Sequence, residues 1–172
     1  RPGRRSCATI GITSPTPAED HAVVAANLAV AAAHAGHRVI VLDADLHRPA
    51  QHALFDLNND NGLAQVLAAA ADDGVLPLQA TAVPGLRILV AGPPPPNPAA
   101  LLDGPRTGEL LARLATEADL VIVDAPPLLA VSDAAVLAPL MEGVLIVLTA
   151  GRSRRDAARA AREALDRVSA HV

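Results

Sequence analysis

The sequence predicts an α/β fold, a three-layer α/β/α sandwich built on a parallel sheet. Three observations carry this. Short, almost wholly apolar runs alternate with longer helical segments along the whole chain. The runs lack polar alternation, as strands covered on both faces do. Aspartates recur where several runs end, on the sheet edge where such folds hold their ligands. With 172 residues, 51% of them hydrophobic, residues 1–172 are expected to form one domain.

The elements follow in order. Cys7–Thr13 is a short apolar run and reads as a buried strand. Asp20–Gly36 reads as an alanine-rich helix stopped by its glycine. His37–Asp45 is an apolar run that delivers Asp43 and Asp45 at its end. Gly62–Ala71 predicts a short helix. Leu78–Val83 and Leu86–Ala91 predict two strands split by a Pro-Gly turn. Gly92–Pro98 is read as a rigid extended loop, because successive prolines favour polyproline II geometry. Pro105–Ala118 is amphipathic and opens with proline, a good first helical residue. Asp119–Pro127 predicts a buried strand carrying Asp124. A short helix over Asp133–Leu140, a buried strand over Gly143–Ala150 and an arginine-rich helix over Ser153–Val168 complete the pattern, and Ala170–Val172 reads as the start of a further strand.

Composition narrows the function classes. The net charge of −4 argues against a nucleic-acid binder. Cys7 is the single cysteine, which suits a cytosolic setting. No apolar run reaches the roughly 18 residues that a membrane span needs. The chain contains neither lysine nor tyrosine. It does not begin with methionine, and is therefore expected to be a piece of a longer protein.

Taken together, "ITSPTP", "AANLAVAAAHAGHRVIVLDADLHRP", "GLAQVL", "LRILVAGPPPPNPAALL" and "ADLVIVDAPP" resemble the bacterial tyrosine kinase family. These are the cytoplasmic kinase domains of capsule and exopolysaccharide co-polymerases, within the deviant Walker A group of P-loop ATPases. The resemblance covers about Cys7 to Val168 and implies a P-loop NTPase-like fold. It makes "DADLHRP" the Walker A′ motif, with Asp43 and Asp45, and "LVIVDAPP" the Walker B motif, with Asp124. "PPNPAALL" matches a stretch that usually reads PPNPSELL, with Ala100 at the glutamate position.

The resemblance also implies a phosphate loop at Pro17–Val23, which in active members reads P-G-E-G-K-S-T. Here it reads Pro17, Ala18, Glu19, Asp20, His21, Ala22, Val23. The glycines that let backbone N–H groups wrap phosphates are gone. His21 replaces the lysine that bridges the β- and γ-phosphates, and neither Ala22 nor Val23 has a hydroxyl for Mg²⁺. Losing one preorganised charge-stabilising contact costs about 2.7–4 kcal/mol. Binding at 1 μM is worth only about 8.2 kcal/mol in all.

The expected reading is a degenerate, pseudokinase member with no catalytic residue in service. Asp43, Asp45 and Asp124 would be vestigial, hydrogen-bonding loop amides and the former phosphate loop. Glu19 or Asp20 would complement the positive helix end in place of a phosphate. No cofactor is expected. Mg·ATP belongs to the alternative of an active autokinase or ATPase, in which Asp43, Asp45 and Asp124 would hold any metal. His21 with those aspartates offers a metal site as an alternative; the favoured expectation is a helix-start His21 that faces solvent. A partition-type positioning ATPase is a third reading, opposed by "PPNPAALL". The expected partner is a membrane chain-length regulator or co-polymerase segment, in the same or another polypeptide, at the inner face of the cell membrane, with homo-oligomers as a further option and no nucleic acid. The family's oligomerisation helix before the first strand and its tyrosine-bearing tail are not found in these residues. On the arginine-rich helix, a solvated face with ion pairs to Asp156, Glu163 and Asp166 is favoured over binding of anionic lipid or an acidic partner face.

Overall fold

A computed structural model describes residues 7–69 and 74–172. Six strands form one sheet in the order β3-β4-β2-β5-β1-β6. They are β1 (Ala8–Thr13), β2 (Val39–Asp43), β3 (Gln79–Ala80), β4 (Leu86–Leu89), β5 (Leu120–Asp124) and β6 (Gly143–Ile146). All neighbours are parallel except β3, which runs antiparallel to β4. The expected all-parallel sheet thus has one antiparallel edge. The Pro84-Gly85 turn joins β3 to β4 too tightly for the crossover that a parallel pair needs, and Gly85 turns there with φ +83°.

The side-chain period of two sorts the core into two layers. Val39 and Val41 of β2 pack with Ile12, Ile122 and the alanines of helix α1 (His21–His34). Ile40 and Leu42 face the other side, with α3 (Leu63–Ala68), α4 (Pro98–Leu102), α5 (Pro105–Glu117), α6 (Asp133–Leu137) and α7 (Arg155–Arg167). Helix α1 is cheap to form because alanine gives up little on entering a helix. It ends in paired bonds, Gly36 N–H to Ala33 O and His37 N–H to Ala32 O, with Gly36 left-handed at φ +89°.

Several boundaries differ from the sequence expectation. Two short helices are additional. Helix α2 (Gln51–Leu54) follows β2, and α4 begins at Pro98, capped by Asn97 Oδ1 on the Ala100 amide. The proline loop therefore stops at Asn97. The end of the expected helix at Gly62–Ala71 lies outside the described residues. β6 is an edge strand rather than a buried one. Leu145 is in register with Ile12 on α1's face but beyond α1's reach, and stays 49% exposed. Ser169–Val172 forms no strand, although Val144 N–H donates to the His171 carbonyl.

Candidate functional site: the loop between β1 and α1

The C-terminal ends of β1, β2 and β5 lie side by side, with Asp43 opposite Asp124 and Ile12 opposite Asp124 in the parallel register. This brings Pro17–Val23, Asp43, Asp45 and Asp124 to one edge, as the alternation of elements predicts. Around them opens a cavity of about 210 Å³, lined by Pro17, Glu19–Val23, Asp45, Arg48, Ala50, Leu54 and Pro127.

His21 opens α1 and is buried rather than facing solvent. Its Nδ1 lies 2.8 Å from Asp124 Oδ1, and both side chains are almost wholly enclosed. Burial alone would pull the imidazole pKa down. The Asp124 hydrogen bond and charge, helped by Asp45 and Asp20, outweigh it, so His21 holds its proton more tightly than a free histidine. Asp124 Oδ2 accepts from Gln51 Nε2 at 2.7 Å, and the same nitrogen lies 3.0 Å from the Ala22 carbonyl.

Asp43 is wholly buried. Its Oδ2 accepts the amides of Ala50 and Gln51 at 3.1 and 2.9 Å, while its Oδ1 has no partner among the described residues. Burial, then the charge of Asp124, pushes its pKa well above the usual carboxylate value, against the opposing pull of those amides. Asp45 Oδ1 accepts from the His47 and Arg48 amides at 3.1 and 2.9 Å. His47 Nε2 in turn meets Asp133 Oδ2 at 3.0 Å, tying this loop to α6.

The two loop acids do not stand in for an anion at the helix start. Asp20 is exposed and makes no side-chain cap. Glu19 is buried, but it points away from the α1 amides. Its Oε2 accepts from the Thr16 amide and hydroxyl, and its Oε1 from Ser153 Oγ at 2.8 Å. Burial raises its pKa, yet the Thr16 and Ser153 bonds prevail and hold it below the usual value.

The loop's own backbone also turns inward. Ala18 N–H donates to Thr16 Oγ1, Glu19 N–H to Thr16 O, and His21 N–H to Glu19 O. No residue from Pro17 to Val23 has positive φ. A phosphate cradle needs outward amides, a lysine-like cation and a metal-binding hydroxyl. This loop directs three amides into itself, His21 is tied to Asp124, and both oxygens of Asp124 are engaged. Mg·ATP held in the P-loop manner does not fit these residues. Among the described residues, no cluster of three or more His, Cys, Asp or Glu is arranged to hold a metal ion.

Comparison with known proteins supplies the family. Residues 20–172 match a family model described as ParA, "NUBPL iron-transfer P-loop NTPase". The chain is 39% identical over 163 residues to the tyrosine-protein kinase YwqD of Bacillus subtilis, covering 94% of this chain and 68% of YwqD. It belongs to the bacterial tyrosine kinase family. Its structure superposes on the solved kinase domain of the Escherichia coli tyrosine kinase ETK with a TM-score of 0.90 and 32% identity, covering 98% of this chain and 66% of that one. It is 40% identical over 126 residues to the tyrosine-protein kinase etk of E. coli K12, covering 73% of this chain but only 17% of that protein. Around the loop between β1 and α1, sequence reasoning missed Gln51, Thr16 and Ser153. Thr16 and Ser153 gave no pattern signal. Gln51 had a faint one, the polar start of "QHAL" two residues past "DADLHRP".

Proposed function

We propose that this chain is a degenerate tyrosine-kinase-like domain with a disabled Walker A loop, acting as a regulator or scaffold in exopolysaccharide or capsule assembly. The observation that carries the reading is His21. It is buried and bonds to Asp124 at 2.8 Å; in this reading it stands at the lysine position of the loop and Asp124 is the Walker B carboxylate. The protein partner in this reading is a membrane chain-length regulator or co-polymerase segment, which would hold the domain at the inner face of the cell membrane. Among the described residues no helix is long and apolar enough to cross a membrane.

The test is a thermal-shift comparison with Mg·ATP of the native chain and of a repaired version carrying Ala18→Gly, Asp20→Gly, His21→Lys and Ala22→Ser. A repaired loop saturated at 100 times its Kd gains about 2.7 kcal/mol, or about 5–10 °C for a domain of this size. The native chain is expected to show no shift. A shift in the native chain would instead favour the second reading, an active autokinase. That reading has support in the kinase names of the relatives and in the retention of Asp43, Asp45 and Asp124. ATP turnover abolished by Asp45→Ala would then establish it.

A further inference from the structure

The bonds around Asp124 close into a ring. His21 Nδ1 holds Asp124 Oδ1, Gln51 Nε2 holds Asp124 Oδ2, and the same Gln51 nitrogen holds the carbonyl of Ala22, the residue after His21. Each of the three side chains is buried. The ring joins three separate elements, the start of α1, the end of β5 and the start of α2. Asp43 adds β2, because its Oδ2 accepts the Ala50 and Gln51 amides at the start of α2. In nucleotide switches, segments around the site are ordered by the bound γ-phosphate and its metal, and are released when these leave. Here the side chains of His21, Gln51 and Asp43 themselves join these segments.

We propose that His21 and Gln51 form an internal latch that holds α1, α2 and β5 in one fixed arrangement, so that the domain presents a constant surface whether or not nucleotide is present. This rests on the reading of the site as nucleotide-free. The latch makes two assignments. Gln51 is a positioning residue acting through Asp124 and Ala22, with no role in chemistry. The loop after β2 and the loop after β1 move as one unit, because the ring is closed rather than a chain of independent bonds.

Amide hydrogen exchange without nucleotide tests it, on the native protein, His21→Ala, Gln51→Ala and the double variant. Loss of either side chain is expected to speed exchange about tenfold or more in both segments together, Ser14–Val24 and Ala50–Phe55. The double variant is expected to exchange more slowly than the product of the single effects, since both side chains act through one carboxylate. His21→Lys is expected to restore slow exchange in Ala50–Phe55 by returning a cation to Asp124. Faster exchange confined to the mutated residue's own segment, or fully multiplicative effects, would overturn the latch. If His21→Ala does not fold, Gln51→Ala read at Ser14–Val24 decides the matter alone, and no change there overturns the proposal. Mg·ATP slowing exchange at Ser14–Val24 in the native chain would contradict the nucleotide-free reading itself, which these nucleotide-free measurements leave separate.

Discussion

His21 decides how the site behaves, because removing it strands the buried carboxylate of Asp124. Breaking one partner of a buried ion pair costs about 3–5 kcal/mol, and His21→Ala is expected to lose that much below about pH 6.5, where the unfolded histidine is also charged. The folded His21 has a raised pKa. Its contribution is therefore complete below the ordinary imidazole value and fades as pH rises through the raised one. Melting curves of native protein and His21→Ala should converge as pH increases; a gap that widens with pH would contradict the assignment. Asp43 works in the same direction, since its raised pKa means that stability is lost as pH climbs above the ordinary carboxylate value. At this scale the sequence was readable for residue type and edge, but not for partner. It placed His21 and Asp124 on the same edge. It left open which side chain would take the aspartate, because a 2.8 Å contact between residues 103 positions apart depends on how deeply α1 seats against β5. Glu19 shows the converse: its acid looked suited to the helix end, yet the nearer Thr16 and the Ser153 hydroxyl took it.

Among the elements, those with strong periodicity or composition could be read directly. α1, α5 and the apolar strands β2 and β5 fell where alanine content, amphipathicity and unbroken apolar runs put them. The short helices α2 and α4, of 4 and 5 residues, were missed because they form less than two turns and draw their order from contacts such as the Asp43 carboxylate and the Asn97 cap. Of the three acids expected to pair on the arginine-rich helix, Asp156 pairs with Arg154 and Asp166 with Arg162, both exposed, where each is worth little. The start of α3 and the chain just after β4 approach too closely to leave room for a side chain at Gly62. A Cβ at Gly62 would meet the Val90 carbonyl oxygen and the Gly92 amide nitrogen, which are backbone and cannot swing aside. Gly62→Ala is expected to destabilise by about 1–3 kcal/mol in chemical denaturation. Gly11→Ala should cost far less, since its new Cβ meets the flexible end of Met141. Equal costs at the two sites would show that the α3 junction is looser than described.

For the whole molecule, the parallel register is what gathers the motifs. Because β2, β5 and β1 are neighbours, their ends at Thr13, Asp43 and Asp124 meet along one edge, although nothing local in the chain links them. The fold class was legible because every covered strand had to be apolar on both sides. The sheet order and the antiparallel β3 were not, since strand order depends on how crossovers pack and leaves little trace in composition. The same architecture that in other P-loop proteins presents a cradle to phosphate here surrounds an ion pair. The central claim, that this loop no longer holds nucleotide, is tested most directly by isothermal titration of the native chain with Mg·ATP. The account predicts no saturable binding up to about 1 mM, beyond about −4.1 kcal/mol. Saturable binding with a micromolar Kd would contradict it.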